Sequence, residues 1–310
     1  MPLFLGIDGG GTQTRCILGD ETSVLAKGTG SGCNVLRVGE ACAQESLAGA
    51  IHEACVAANV SPRQIARTCA GISGAADDGI ASLVQRLLIE IVGGAIEVLG
   101  DMEVALESAF GGGPGVIVIA GTGSIAYGRN SRGEKGRAGG WGRVVSDEGS
   151  GHWIAAKALS AGLRARDREN HSDLLKELMR ALDISSAEDL VIRINEDPIR
   201  DYASLFPVVL ACAKAGDKQG IEVLESAGCE LASLAETLIQ RLFGAGEEVA
   251  VATHGGVFAS SNQVKRSFEQ ELGKLWRSAS FVDREINPAM GALERARREF
   301  GVWHRPGTDK

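Results

Sequence analysis

The chain has 310 residues, 44% hydrophobic and 23% charged, the balance of a globular protein with one large domain or two ordinary ones. A net charge of −8 argues against a nucleic-acid-binding protein, because such proteins usually carry a basic face. No apolar run approaches the roughly 18 residues of a membrane span, and no signal peptide precedes Asp8. Seven cysteines without a C-x-x-C pair indicate reduced core residues. We therefore expect a cytoplasmic protein with neither nucleic acid nor membrane as partner.

The first half of the sequence alternates strands and helices. Short connections join three predicted strands into a meander, at residues 3–8, 14–18 and 23–27. The following pattern predicts a helix at 38–58, a strand at 67–72, a helix at 80–92, a strand at 95–100 and a helix at 102–110. Glycines and a proline at 111–114 end the last helix and mark a candidate domain boundary.

The second half repeats the opening in outline. Strands are predicted at 115–120 and 124–129, and a third strand contains the stretch 136–142. Helices are predicted at 150–165, 171–182, 200–214 and 218–242. A strand at 248–253, a helix at 262–274, a strand at 279–282 and a final helix at 288–300 follow. We interpret the arginines of the final helix, Arg295, Arg297 and Arg298, as a solvated face.

Glycine is over-represented, with 42 residues against a typical share of about 7%, and it clusters after strands. The first cluster follows Asp8 and comprises Gly9, Gly10, Gly11 and Thr12, which we call the first turn. Its amides and hydroxyl would form an anion nest, and the aspartate suits a phosphate-bound Mg²⁺. A simple hairpin turn is the alternative. The spacing fits neither a Walker A loop nor a dinucleotide fingerprint.

A second turn with similar residues follows the first strand of the second half. It comprises Gly121, Thr122, Gly123 and Ser124. Alone it is a weak signal, but paired with the first turn it predicts two domains that hold one polyphosphate.

Two further places carry side chains suited to chemistry. Asp101 ends the strand at 95–100, where a carboxylate would accept a proton from a substrate hydroxyl, or would cap the next helix. The segment 139–151 combines Trp141 with two acids, Asp147 and Glu148, and several glycines. A sugar site needs carboxylates, a flat apolar face and backbone donors. The alternative is a helix start whose acids favour the helix dipole.

Together these motifs resemble the N-acetylglucosamine kinase and BadF/BadG/BcrA/BcrD ATPase family, within the actin-like, sugar-kinase ATPase superfamily. The motifs are GIDGGGT (6–12), ISG (72–74), GD (100–101), AGTGS (120–124), GGWG (139–142) with SDEGS (146–150), and GGV (255–257). They occur in the family's order and span nearly the whole chain. The zinc-binding cysteine cluster of the repressor/kinase sugar-kinase group is absent from the sequence, so we exclude that neighbour.

The resemblance implies an α/β fold of two ribonuclease-H-like domains, each with a mixed sheet flanked by helices, around a central cleft. The first domain would comprise residues 1–113 plus the C-terminal helix at about 288–310, and the second residues 114–287. We also expect a homodimer.

The resemblance also implies roles for individual residues. ATP would be bound by Gly9, Gly10, Gly11, Thr12, Gly121, Thr122, Gly123, Ser124, Gly255 and Gly256. The amino sugar would be bound by Asn34, Ser73, Asp101, Gly140, Trp141 and Asp147. Asp8 would lie beside Mg²⁺, and Asp101 would act as the base toward the sugar 6-hydroxyl.

The implied function is an ATP-dependent kinase that phosphorylates the 6-hydroxyl of N-acetylglucosamine. Glucosamine and N-acetylmuramic acid are alternative substrates, because Leu36 stands where vertebrate-type kinases carry a tryptophan. Two functions of other classes stay open: a BadF-type ATPase that activates a dehydratase or reductase, and a non-catalytic sugar sensor.

Overall fold

The structure is a computed structural model that describes residues 1–169, 172–197 and 201–303. It divides into two compact units, one of Met1–Gly113 with the segment that begins at Arg284, the other of Pro114–Asp283. Each unit contains a five-stranded mixed sheet flanked by helices, so the predicted α/β fold class is confirmed. Within the described residues, no helix is long and apolar enough to cross a membrane.

The sheet of the first unit has the strand order β3-β2-β1-β4-β5. Its strands are β1 Leu3–Gly9, β2 Gln13–Gly19, β3 Val24–Ser31, β4 Ile65–Ile72 and β5 Ala95–Gly100. The first three strands form the predicted antiparallel meander, although β3 extends four residues beyond the predicted end at residue 27. Strands β4 and β5 run parallel to β1, so the carboxyl ends of β1, β4 and β5 share one edge.

Helices cover both faces of this sheet. They are α1 Val35–Val38, α2 Glu40–Ala57, α3 Asp78–Ile91, α4 Asp101–Phe110 and the final helix, α12 Pro288–Trp303. On one face, Leu5 and Ile7 of β1 pack with Leu47 and Ile51 of α2. On the other, Phe4 packs with helices α4 and α12.

The sheet of the second unit has the order β10-β9-β6-β7-β8, which repeats the connectivity of the first. Its strands are β6 Gly115–Ala120, β7 Ser124–Arg129, β8 Lys135–Gly139, β9 Val249–His254 and β10 Ala279–Val282. The helices are α5 Gly151–Asp167, α6 Asp173–Ala181, α7 Ala187–Glu196, α8 Phe206–Lys214, α9 Lys218–Leu242, α10 Gly256–Ser260 and α11 Asn262–Leu275. The buried leucines of α9 form part of the core, as their helical spacing indicates.

Two element predictions in the second unit were wrong, and two helices, α7 and α10, were not predicted. The helix expected from residue 200 begins at Phe206, after a single 3-10 turn at Ala203–Leu205. Helix α7 was not predicted, because its exposed apolar positions weaken the helical pattern. Strand β8 ends at Gly139, whose positive φ of 71° turns the chain, so Gly140 and Trp141 lie in a loop.

The final helix also differs from its prediction. Arg295 and Arg297 are largely buried, with side chains 15% and 12% exposed, so they do not form a solvated face. Arg295 forms ion pairs with Glu97 of β5 and Glu107 of α4. Residues 304–310, which the predicted domain limits include, lie outside the described residues.

Candidate active site

The first unit brings together three predicted site residues at the shared edge of its parallel strands. Strand register pairs Asp8 with Gly71 and Ile72 with Gly100, so Asp8, Ser73 and Asp101 lie at neighbouring strand ends. The carboxyl ends of parallel strands are where open α/β sheets place their ligand crevices.

Hydrogen bonds connect the predicted sugar-binding residues of this unit. The Nδ2 atom of Asn34 donates to the Oγ atom of Ser73 over 3.3 Å. The Ser73 hydroxyl in turn donates to the carboxylate of Asp101. Asn34 is itself fixed as the N-cap of α1, because its Oδ1 accepts from the amide of Leu36 over 3.1 Å. This series of hydrogen bonds therefore orients the Asp101 carboxylate from the start of α1.

Asp101 does not cap the helix that follows it, so that alternative was wrong. The N-cap position is held by Gly100, and Asp101 is the first residue of α4. Its Oδ1 accepts from the neighbouring amide of Met102 over 3.0 Å. The carboxylate thus lies at the positive end of α4, which stabilises its charged form.

Burial and mutual repulsion set the charge of the two carboxyl groups. The pKa of Asp8 is raised to about 6, chiefly by burial and also by the charge of Asp101, against the opposing charge of Arg15. Burial also raises the pKa of Asp101, although the Met102 amide and the Ser73 hydroxyl favour its charged form. Asp8 offers the carboxylate oxygens that Mg²⁺ prefers, and the nearby charge of Asp101 adds to the negative field there, so the residues present fit a divalent cation.

Replacing Asp8 with asparagine should stabilise the metal-free protein at alkaline pH. Folding moves the pKa of this carboxyl from 3.8 to about 6, so the folded state holds more protons in that window, and stability falls as pH rises through it. At pH 8 Asp8→Asn should raise the free energy of unfolding by up to about 3 kcal/mol, because each unit of pKa shift corresponds to about 1.4 kcal/mol. Urea titrations at pH 8 and pH 3.5, without Mg²⁺ or nucleotide, measure the difference, which should vanish at pH 3.5.

Asp20→Asn provides a control of opposite sign. Amides of Thr22 and Ser23 lower the pKa of Asp20, so its charge favours the fold above its ordinary pKa. This substitution should give no stabilisation at pH 8. Equal effects of the two substitutions would contradict the account of Asp8.

The first turn is held by backbone hydrogen bonds on both sides. The Gly10 amide donates to the Gln13 carbonyl over 2.9 Å, and the amides of Cys33 and Ser73 donate to the carbonyls of Gly10 and Gly9. Within the described residues, no backbone acceptor is recorded for the amides of Gly11 and Thr12. These amides are therefore the donors of this turn that suit an anion.

The second turn has a similar local structure. The Gly121 amide donates to the Gly123 carbonyl over 2.9 Å, and the Gly151 amide donates to the Gly121 carbonyl over 2.8 Å. The Ser124 hydroxyl donates to the Glu148 carbonyl over 2.7 Å. By strand register, the position of Asp8 corresponds to Ile119 here, so the second turn has the glycines without the strand-end carboxylate.

Asp147 packs against the second turn. It is buried, adopts a φ of 65°, and accepts a hydrogen bond from the Gly142 amide over 3.2 Å. A Cβ atom on Gly123 would lie 2.5 Å from its Oδ2, so the carboxylate packs directly against the turn. Burial raises the pKa of Asp147, whereas the amides of Gly142 and Ser124 favour its charged form.

Segment 139–151 ends at the start of α5, as expected, but its two acids lie outside the first turn of that helix. The N-cap of α5 is Ser150, whose hydroxyl accepts from the Trp153 amide over 3.2 Å, and both acids precede it. Trp141 lies in the loop with 66% of its surface exposed. The guanidinium of Arg137 lies 4.5 Å from its ring centroid, a cation–π contact that leaves the ring largely open to a ligand.

Gly255 joins the second turn to the end of β9. It has a φ of 102°, and a Cβ atom here would collide with the backbone of Ala120. Only glycine allows this close approach. The structure therefore brings Gly255 and Gly256 to the same strand edge as the second turn.

Arg15 was missed as a residue of the first-unit site. It lies directly opposite Asp8 in the β1–β2 pairing, and its charge lowers the pKa of that carboxyl. The sequence could have identified Arg15, because the β1–β2 hairpin was predicted. Only the exact length of its turn was needed to place Arg15 opposite Asp8.

Known proteins are similar to this chain over nearly its whole length. The model of the BadF/BadG/BcrA/BcrD ATPase family matches residues 5–296. An N-acetylmuramic acid/N-acetylglucosamine kinase of Clostridium acetobutylicum is 30% identical over 304 residues, covering 96% of this chain and 99% of the relative. An N-acetyl-D-glucosamine kinase of Dictyostelium discoideum is 28% identical over 306 residues, covering 94% and 96%.

Solved structures share the fold. A candidate N-acetylglucosamine kinase of Chromobacterium violaceum has a TM-score of 0.77 at 24% identity, covering 94% of this chain and 98% of that one. A ROK hexokinase of Thermus thermophilus has a TM-score of 0.64 at 16% identity, covering 97% and 99%. At these identities the likeness concerns the fold alone.

Proposed function

The chain belongs to the BadF/BadG/BcrA/BcrD ATPase family, and from that membership we propose that it is an ATP-dependent amino-sugar kinase. Its preferred reaction is phosphorylation of the 6-hydroxyl of N-acetylglucosamine. The observation that carries the proposal is the hydrogen-bonded series Asn34, Ser73 and Asp101, which holds a buried carboxylate beside Asp8. Relatives matched over almost their whole length, and named as kinases of this sugar, support it.

Asp101 is the general base of the proposed reaction. Its carboxylate accepts the proton of the 6-hydroxyl as the sugar oxygen attacks the terminal phosphorus of ATP and ADP departs. Burial raises the pKa of Asp101, which strengthens it as a base near neutral pH. Ser73 and Asn34 fix its orientation, and in phosphoryl transfer such positioning, together with charge stabilisation, supplies most of the catalysis.

ATP is bound, in this proposal, by residues 9–12, residues 121–124, Gly255 and Gly256. The amides of Gly11 and Thr12, together with the amides of the second turn other than those of Gly121 and Ser124, donate to phosphate oxygens. Gly255 and Gly256 lie near the adenosine. Asp8 would hold Mg²⁺, which neutralises phosphate charge when bound. The pKa of Asp8 is raised chiefly by burial and also by the negative charge of Asp101, and a bound cation would offset the repulsion between the two carboxylates.

The amino sugar is bound, in this proposal, by Asn34, Ser73, Asp101, Gly140, Trp141 and Asp147. Trp141 offers a flat apolar ring to the sugar. The Asp147 carboxylate accepts a hydrogen bond from the Gly142 amide and so holds the loop next to Trp141 in place.

Replacing Trp141 with alanine should raise the KM for the sugar by roughly 2–10-fold, as expected for loss of about 0.5–1.5 kcal/mol of aromatic contact. The KM for ATP should change by less than about twofold, and steady-state kinetics at saturating co-substrate measure both. Trp276→Ala is the matched control, since that indole is bonded to the Glu247 carbonyl elsewhere in the same unit. A larger rise in the KM for ATP than for the sugar would place Trp141 outside the sugar site.

Product analysis tests the proposed reaction. Incubation with Mg·ATP and N-acetylglucosamine, glucosamine or N-acetylmuramic acid should give a monophosphate whose phosphorus couples to the protons on C6 in NMR spectra. The highest kcat/KM is expected for N-acetylglucosamine. Phosphate found on C1, or transferred to none of the three sugars, would overturn the proposal.

The enzyme is also proposed to be a cytoplasmic homodimer. All seven cysteines are free thiols and five of them are buried. Free thiols are typical of proteins in a reducing compartment, which supports this proposal. Light scattering on the purified protein should give twice the chain mass.

A further inference from the structure

Arg37 lies against the first turn, beside Gly11. It is the third residue of α1, and its side chain extends over Gly11. A Cβ atom on Gly11 would lie 3.1 Å from Nη1 and 3.3 Å from Cδ of Arg37. The guanidinium therefore rests on the backbone whose amides we assign to phosphate.

The charge of Arg37 is not neutralised within the described residues. Neither an ion pair nor a side-chain hydrogen bond is recorded there for this guanidinium. The neighbouring Arg15 differs, because it donates to the Oε1 atom of Gln13 over 2.9 Å and lies opposite Asp8. The guanidinium is exposed and unpaired, and the amides beside it lack backbone acceptors. Together these groups can donate hydrogen bonds to one anion.

Helix α1 links this cation to the sugar side of the proposed site. The Arg37 amide donates to the Asn34 carbonyl over 2.9 Å, so both residues belong to one helical turn. Asn34 leads through Ser73 to the proposed base, Asp101. This short helix thus carries Asn34, which is hydrogen-bonded toward the proposed base, and Arg37, whose positive charge lies beside the first turn.

We propose that Arg37 binds the terminal phosphoryl group of ATP and stays bonded to it during transfer. The inference rests on the proposed kinase function and adds a residue to it. In the step, the sugar 6-oxygen forms a bond to the terminal phosphorus and the bond from that phosphorus to the bridging oxygen breaks. The hydroxyl proton passes to Asp101, ADP leaves, and Arg37 keeps its own protons. A planar guanidinium suits this role because it donates two parallel hydrogen bonds to phosphate oxygens.

Gly11 is part of the same arrangement. A Cβ atom at this position would lie 3.1 Å from Nη1 and 3.3 Å from Cδ of Arg37, so the guanidinium would have to shift by a few tenths of an ångström. Gly11→Ala therefore provides a second variant that moves the cation without removing its charge.

The test compares the affinity of Mg·AMPPNP with that of Mg·ADP by calorimetry, using wild type, Arg37→Gln, Arg37→Lys and Gly11→Ala. Arg37→Gln should weaken binding of the triphosphate analogue by about 10–100-fold, the loss expected for a charge-assisted hydrogen bond. Its affinity for ADP should change by less than about twofold. Arg37→Lys should recover part of the loss, and Gly11→Ala should weaken the analogue in the same direction. Arg86→Gln, the same charge change on the exposed side of α3, is the control and should bind as wild type.

Equal affinity of wild type and Arg37→Gln for the analogue would overturn the inference, and so would an equal loss for analogue and ADP. Neither measurement needs a sugar. Failure of the kinase proposal would instead leave the nucleotide discrimination intact while no sugar is phosphorylated.

Discussion

Replacing Asp101 with asparagine should lower kcat for sugar phosphorylation by about 10²–10⁴-fold, the usual contribution of a general base. The amide cannot take the proton of the 6-hydroxyl, yet it preserves the shape of the buried side chain. ATP affinity should stay within about threefold of wild type, because the proposed phosphate donors are the backbone amides of the turns and the guanidinium of Arg37. Stopped assays of ADP formation and calorimetry with AMPPNP measure the two quantities.

Ser73→Ala is a second variant, for which we expect a smaller effect on kcat. It removes the hydroxyl that donates to Asp101 and accepts from Asn34, but keeps the base. A smaller fall in kcat, of roughly 5–10-fold, is expected for one lost hydrogen bond of about 1–1.5 kcal/mol. Wild-type turnover by Asp101→Asn would remove Asp101 from the role of base.

A second large effect is expected at Arg295, where Arg295→Met should lower the free energy of unfolding by about 3–5 kcal/mol. Its guanidinium lies 2.7 Å from Oε1 of Glu97 and 3.3 Å from Oε1 of Glu107, whose side chain is 2% exposed. Removing the cation leaves two shielded carboxylates with Arg67 and Arg298 as remaining partners. Urea unfolding at pH 7 measures the loss.

The pH dependence of this loss follows from Glu97. Burial alone would raise its pKa, but Arg295 and Arg67 hold the pKa of Glu97 below its ordinary value. A carboxyl with a lowered pKa stabilises the fold above its unfolded pKa and loses that contribution as pH falls. The difference between wild type and Arg295→Met should therefore shrink below about pH 4, near the ordinary pKa of glutamate.

Arg166→Met is the matched control, because Arg166 pairs with Glu188 while both side chains are more than half exposed. Such surface pairs contribute about 1 kcal/mol or less. A loss at Arg295 no larger than that at Arg166 would contradict the buried network. Glu97 lies on β5, which directly precedes Asp101, and Glu107 lies on α4, which begins at Asp101, so a fall in kcat should accompany the loss of stability.

The fold and much of the first-unit site could be predicted because their signals are local. Glycine clusters after apolar strands fixed the two turns, and Asp8 and Asp101 each end a strand. Asn34 and Ser73 were assigned by family resemblance, and the structure joins them to Asp101 through hydrogen bonds between distant segments. Asp147 was predicted as a sugar ligand, but its packing beneath Gly123 depends on a loop with positive φ that the sequence pattern does not encode.

Contacts between remote segments account for what was missed. Arg295 was interpreted as solvated because helix α12 is basic in sequence, and only its return to the first sheet brings Glu97 and Glu107 within reach. Arg37 gave no signal, since a glycine at position 11 indicates space without naming the side chain that fills it.

The decisive measurement is the rate of ADP formation from Mg·ATP with and without N-acetylglucosamine, at equal enzyme concentration. The account predicts ATP consumption that depends on the sugar, saturates with it, yields one sugar phosphate per ADP, and falls by at least about 10²-fold in Asp101→Asn. ATP hydrolysis that proceeds at the same rate without any amino sugar, and that Asp101→Asn leaves unchanged, would contradict it.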